Sequence, residues 1–152
     1  MTVRGRFSLD TNILVYTVDR ESGARHEQSK ELFARASKND CVLTVQALAE
    51  FFHVTTRTGL LPVSQARAFV RSWLEVFEIA SADEHALGDA MDAVAEYRFS
   101  FWDAMMWATA RRVGCSAVVS DDMQDGRLLG GVEFINPFAD HASSRLETFL
   151  RA

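Results

Sequence analysis

Four short apolar runs punctuate the chain, at Phe7 to Leu9, Cys41 to Val45, Ser116 to Val119 and Val132 to Ile135. Runs of this length between polar flanks predict buried strands. Between them, apolar positions recur at helical spacing. Ser22 to Ala36 predicts a charge-laced amphipathic helix with Leu32 and Phe33 inward, and Val45 to Thr56 carries apolar residues at 45, 48, 49, 51 and 52. Pro62-Val63-Ser64 opens a helix reaching about Phe77. Ser81-Ala82-Asp83-Glu84 reads as a capping box ahead of a helix with Leu87, Ala90, Met91, Val94 and Tyr97 at helical spacing. A second box, Ser100-Phe101-Trp102-Asp103, starts a helix with Trp102, Met105, Met106 and Ala110 on one face, ended by Gly114. Strands alternating with helices, without hairpin signals, predict right-handed crossovers and a three-layer α/β/α domain around a mostly parallel sheet.

No repeat, Pro/Ser-rich linker or like-charge block divides the 152 residues. One domain is expected, with residues 1–140 as its body and 141–152 as a helical tail of the same domain. Hydrophobic residues make up 48% and charged residues 24%, which excludes disorder. Met1 to Arg6 has charge but no apolar stretch behind it, and no run approaches the ~18 residues of a membrane span. A cytoplasmic protein without membrane contact is expected, with Cys41 and Cys115 as buried thiols.

The formal charge of −5 argues against binding nucleic acid through bulk positive charge. It leaves room for a nuclease whose acids are offset by bound cations. Fourteen of the 16 basic residues are Arg. That bias suits phosphate, although genome composition alone produces it too.

The acids carry the candidate chemistry. Asp10 and the pair Asp121–Asp122 follow the carboxyl ends of two predicted strands, where open α/β sheets keep their sites. Asp103 falls in the first turn of a helix at that edge, and Glu50 about one and a half turns into the helix after the second strand. Each has an ordinary alternative: Asp10 as a helix cap, Asp103 as a partner of the helix dipole. Asp121, Asp122 and Asp125 fit a turn closed by Gly126, and Glu50 a solvated stripe with Gln46, His53 and Arg57. Convergence would change this, because two carboxylates ~4 Å apart repel by about 4 kcal/mol at an effective dielectric near 20. Four together require a cation or raised pKa values. An all-oxygen cage of this kind suits Mg²⁺, with Mn²⁺ as a substitute.

Other constellations are poor. Glu50-x-x-His53 lacks the second Glu-x-x-His of a di-iron bundle. His26, His53, His85 and His141 show no zinc spacing. Dinucleotide and P-loop motifs are absent, and Ser8, Ser100 and Ser120 lack a nucleophile-elbow context. Phe101, Trp102, Met105, Met106 and Trp107 read as core and interface packing rather than a base-stacking platform.

With these residues placed, the chain resembles a PIN-domain protein, in particular a VapC-type toxin of a bacterial toxin–antitoxin pair. The matching stretches are Leu9-Asp10-Thr11-Asn12-Ile13-Leu14-Val15-Tyr16, Gln46-Ala47-Leu48-Ala49-Glu50-Phe51, Phe101-Trp102-Asp103-Ala104 and Val119-Ser120-Asp121-Asp122-Met123-Gln124-Asp125-Gly126. Gly131 to Phe138 is similar to the subgroup's closing strand. The resemblance implies a PIN-like fold and a Mg²⁺-dependent endoribonuclease silenced by a cognate antitoxin. It implies a site of Asp10, Glu50, Asp103 and Asp122, the last selected by the family's Thr/Ser-x-Asp pattern, with Asp121 as an adjacent candidate ligand. Asn12 and Ser120 match positions that steady the acids or bound waters.

The expected activity is hydrolysis of RNA phosphodiester bonds by metal-activated water. Asp10 and Asp103 would hold the main ion, with Glu50 and Asp122 completing the cage. Arg57, on the stripe of Glu50, is a candidate phosphate contact. A homodimer is expected from the aromatic-rich segment around Trp102 to Trp107. The alternatives are a PIN-like nuclease with another RNA or DNA substrate, and a catalytically silent binding module whose acids are caps.

Overall fold

A computed structural model of the chain describes residues 5–140 and 142–151; Met1 to Arg4 and His141, discussed above, lie outside them. At the centre of the sheet lies β1 (Phe7–Leu9), flanked in parallel by β2 (Cys41–Thr44) and β4 (Ala117–Val119). Beyond these, β3 (Glu78–Ala80) pairs with β2 and β6 (Val132–Ile135) with β4, both parallel. The last strand, β5 (Leu128–Leu129), is antiparallel to β6, so the order is β3-β2-β1-β4-β6-β5.

Alternation along the strands divides the core into two layers. Phe7, Leu9, Leu43, Val119 and Ile135 face one side. There they pack against α1 (Thr11–Tyr16), α2 (Ala24–Ala36), α3 (Val45–Arg57) and α4 (Val63–Val76) through Leu14, Leu32, Phe51 and Trp73. On the other side Val42, Val118 and Phe134 meet α5 (Glu84–Tyr97) and α6 (Phe101–Arg112). Small residues line that layer: Ala86, Ala90 and Ala93 of α5 and Ala104 and Ala108 of α6 are buried, while Leu87 and Met91 face outward. The short α7 (Ala142–Glu147) leads into a tail that returns to the first layer, where Leu146 and Leu150 are buried and the Phe149 ring meets Phe7 edge-on at 5.7 Å. Arg35 forks onto Glu147 at 2.7 and 2.9 Å and donates to the Leu150 carbonyl at 2.7 Å.

Several elements depart from the sequence reading. The edge strand β3 was not expected, because its three residues include an exposed Glu78 and form no apolar run. The β5–β6 hairpin was also missed; its signal is Gly130-Gly131, both at positive φ (56° and 82°), the dipeptide that two-residue hairpin turns favour. The cap of α5 is Asp83, whose carboxylate accepts from the Ala86 N–H at 2.9 Å, rather than Ser81. Within α6, Met106 and Trp107 are core, but Trp102 points outward from the first turn. Cys41 and Cys115 are buried and free, and burial pushes the Cys115 thiol up to about 12. No helix among the described residues is long and apolar enough to cross a membrane.

Ser8 occupies the middle of β1, in register with Val42 and Val118, and so faces the α5–α6 layer. Its hydroxyl is buried without a hydrogen-bond partner among the described residues. Ser8→Ala is expected to stabilise the protein by about 1 kcal/mol, or ~3 °C in Tm, by removing an unsatisfied polar group. Urea unfolding checks this, and a clear loss of stability would mean that the hydroxyl is satisfied.

Candidate active site

Parallel pairing brings Leu9 beside Val119 and so delivers Asp10 and Ser120 to the same sheet edge. The Asp10 N–H still reaches the Val119 carbonyl at 2.9 Å, holding the chain to β4 as it turns into α1. As N-cap of that helix, Asp10 is extended (φ −72°, ψ 160°), and its Oδ1 accepts from the Thr11 N–H at 2.6 Å. Its Oδ2 accepts from the Ser120 hydroxyl at 2.6 Å, and Ser120 Oγ in turn accepts from the Asp122 N–H at 3.2 Å. The cap reading and the site reading of Asp10 are therefore both satisfied by one carboxylate.

Burial pushes the Asp10 carboxyl up to about 6, against the lowering effect of its bonds to Ser120 and Thr11 and with added repulsion from Asp122 and Asp103. Burial, followed by repulsion from Asp121 and Asp103, also raises Asp122. Asp10, Asp103 and Asp122 thus share one electrostatic neighbourhood. Asp103 is placed by the first turn of α6, whose Ser100 cap accepts from the Asp103 N–H at 3.4 Å. Its carboxylate takes no hydrogen bond from any described residue, and the helix N-terminus favours its charge. Glu50 joins through a neighbour: the Thr11 hydroxyl donates to its Oε2 at 3.0 Å, and Gln46 Nε2 donates to its Oε1 at 2.9 Å. The same Gln46 nitrogen also donates to the Trp102 carbonyl at 2.9 Å, linking α3 to the start of α6.

The adjacent aspartates have different surroundings. Asp121 Oδ2 accepts from Tyr16 Oη at 2.6 Å and pairs with Arg25 Nη1 at 2.5 Å, leaving its side chain 5% exposed. The Arg25 guanidinium lies over the Phe138 ring at 4.6 Å and the Tyr16 ring at 5.7 Å. Asp122 instead accepts from Asn12 Nδ2 at 2.8 Å, and the same amide lies 3.4 Å from Asp121 Oδ1. Arg57 is exposed on α3, seven residues beyond Glu50, and pairs with no described acid. Thr11, Tyr16 and Arg25 were not expected at the site. Thr11 and Tyr16 both sit in the Leu9–Tyr16 stretch, but Arg25 reaches the site only through the fold.

Among the described residues, no three His, Cys, Asp or Glu side chains stand close enough to form a ready-made metal cluster. The acids make an open group within Coulombic reach rather than a closed cage. That still fits Mg²⁺ in donor type and charge, since this ion takes one or two carboxylates and retains several waters.

Asp10 generates a pH prediction. Its pKa is 3.8 when unperturbed and about 6 in the fold, so the folded state holds the proton more tightly. The sign follows: this group favours folding fully below its unfolded pKa, loses that contribution as pH rises toward 6, and opposes folding above. Asp10→Asn keeps a capping side chain and is expected to gain about 1–3 kcal/mol over the parent chain at pH 7.5. The gain should disappear near pH 4. Urea unfolding in chelator at both pH values measures the difference; an equal gain at both would exclude charge as its cause.

The PIN domain family model matches residues 8–125, a span containing all four candidate acids. Among solved structures, VapC20 of Mycobacterium tuberculosis, a toxin that cleaves the sarcin–ricin loop, aligns with a TM-score of 0.62 at 18% identity over 82% of this chain and 97% of that one. A toxin–antitoxin complex from Klebsiella pneumoniae gives 0.63 at 20% identity, covering 86% of this chain and 97% of that one. The DNA-bound VapBC of Salmonella typhimurium gives 0.63 at 20% identity, covering 85% and 97%. At these identities the likeness is one of fold. No curated protein sequence matches. The chain belongs to the PIN-domain family.

Proposed function

We propose that this protein is a metal-dependent endoribonuclease, the toxin of a type II toxin–antitoxin module acting in the cytoplasm. One observation carries the reading: Asp10, Asp103 and Asp122 stand within repelling range of one another at the carboxyl edge of β1 and β4, where burial first and that repulsion second push Asp10 up to about 6. A fold that gathers like charges at one edge calls for a cation there. Asp10 and Asp103 would hold Mg²⁺ or Mn²⁺, with Glu50 and Asp122 completing the set directly or through waters. The ion would supply a Lewis acid for the phosphate oxygens and acidify the attacking water.

The remaining roles belong to the chain. Ser120 and the Thr11 N–H fix the Asp10 carboxylate, Asn12 fixes Asp122, and Thr11 with Gln46 fixes Glu50. Asp121, neutralised by Arg25, serves as an anchor for the loop that carries Asp122. Arg57 offers a guanidinium on the Glu50 face of α3 for a flanking phosphate. Among the described histidines, His26 is buried against the Tyr16 carbonyl, while His53 and His85 are exposed, so no pair stands ready to activate a ribose 2′-hydroxyl. Hydrolysis should therefore leave a 5′-phosphate and a 3′-hydroxyl.

The partner on this reading is a cognate antitoxin that inserts an arginine among the carboxylates in place of the ion. A homodimer is proposed as well, but Met106 and Trp107 are core rather than the expected Trp102–Trp107 surface, so the face assigned to it is the groove of about 320 Å³ between α3 and α4 lined by Phe52, Val70 and Leu74. Residues 141–152 belong to the same domain on this view, supported by the burial of Leu146 and Leu150.

Cleavage of end-labelled RNA tests the proposal. Activity should require Mg²⁺ or Mn²⁺ and stop with chelator. Asp103→Asn and Asp122→Asn should lower it by more than the roughly 10–100-fold typical of changes around a metal site, without loss of fold. Asp121→Asn should instead cost stability by freeing Arg25, and less activity. A 2′,3′-cyclic phosphate end would overturn the mechanism, and absence of any Mg²⁺-dependent gain in stability would favour a silent binding module.

A further inference from the structure

Glu50 has a second neighbourhood. A cavity of about 560 Å³ opens between α3, the segment after β3 and the first turns of α6, lined by Val45, Ala49, Ala82, Trp102 and Met105 together with Gln46 and Glu50. Its walls are largely apolar, and its volume falls within the ~300–1,000 Å³ range of small-molecule sites. Trp102 is 62% exposed there, whereas Trp73 and Trp107 are buried in the two core layers. The Phe101 ring stands edge-on to the Trp102 ring at 4.9 Å. An indole left this open beside a charged site is available for recognition rather than packing.

Two features favour a nucleic-acid base as occupant. The cavity shares Glu50 with the carboxylate group, and Trp102 directly precedes Asp103, so whatever fills it lies next to whatever binds the acids. Gln46 spends its amide nitrogen on Glu50 and the Trp102 carbonyl, which leaves its oxygen as an acceptor. We infer that this cavity is a nucleobase subsite, taking one unstacked base adjacent to the scissile phosphate, stacked on Trp102 and held through an exocyclic amino group by the Gln46 carboxamide oxygen. The inference rests on the ribonuclease reading and adds to it a preference for single-stranded substrate with adenine, cytosine or guanine, rather than uracil, at that position.

Trp102 is itself the probe, because the other two tryptophans are buried. The full chain is titrated with oligoadenylate, oligocytidylate and oligouridylate, with Ca²⁺ in place of Mg²⁺ to neutralise the acids while giving poor cleavage. Fluorescence should be quenched at saturation by the first two and less by the third. Trp102→Ala should weaken binding of labelled oligoadenylate about 10-fold or more, Trp102→Phe should largely restore it, and Gln46→Ala should erase the preference over oligouridylate. Saturable binding without quenching, or equal binding by Trp102→Ala, overturns the subsite while leaving the nuclease reading intact. Quenching with base preference but no cleavage in Mg²⁺ or Mn²⁺ keeps the subsite and removes the nuclease. A blue shift of emission that grows with protein concentration in the absence of RNA would mean that a second copy fills the cavity, and would also overturn it.

Discussion

The hydrogen bond from the Ser120 hydroxyl to Asp10 Oδ2 joins the two strands that define the site at the point where both leave the sheet. A carboxylate as buried as Asp10 is unfavourable unless several donors hold it. Here the donors are the Thr11 N–H, supplied by the start of α1, and Ser120, supplied by the parallel register of β1 and β4. They do not fully offset the burial, because the carboxyl still sits at about 6. That residual cost is what makes the edge receptive to positive charge. Everything else at the site is arranged around it: Asn12 in the first turn of α1, Asp122 two residues past Ser120, and Glu50 reached through Thr11.

Asp121 and Asp122 show how the fold gives unlike roles to like side chains. Arg25, stacked over Phe138 and Tyr16, supplies Asp121 with a full counter-charge, and the Tyr16 hydroxyl takes up the same oxygen. Among the described residues Asp122 has only the Asn12 amide as a side-chain donor, and it remains repelled by its acidic neighbours. The loop is thus fastened by one carboxylate so that the next can remain available. A neutral residue at position 121 would leave Arg25 without its counter-charge and the loop without this fastening.

Much of this was legible in the chain. The four main strands, the five longer helices' approximate spans and the placement of Asp10, Ser120 and Asp122 at one edge follow from apolar periodicity and the rules of parallel sheets. The resemblance of the four motifs to PIN domains anticipated the family that the match over residues 8–125 shows. Misses arose where local pattern and tertiary context diverge. Ser81 has the spacing of a capping box, but the helix begins only at Glu84 and the extended Asp83 caps it instead. Trp102 shares an apolar spacing with Met106, yet it lies on the first turn, at the mouth of the cavity beside Glu50. The Arg25–Asp121 and Tyr16–Asp121 contacts span 96 and 105 residues, separations that no periodicity encodes.

Charge alone makes a poorly selective site. Any cation that reaches the edge relieves the same repulsion, whether a divalent ion or a guanidinium from a partner chain, and each would stabilise the fold according to its affinity and concentration. Such a group would explain favourable binding there but no preference of the proposed nuclease for one RNA over another, since phosphates carry no sequence information. Discrimination needs contacts of another kind next to the acids. On the proposed reading the apolar wall containing Trp102 and Met105 would provide them, and Gln46 couples the two regions by bonding at once to Glu50 and to the backbone of Trp102. An occupant that moves Gln46 would therefore disturb the hydrogen bonding of Glu50, so that on the proposed reading base recognition and the alignment of the metal-holding acids are mechanically linked rather than independent.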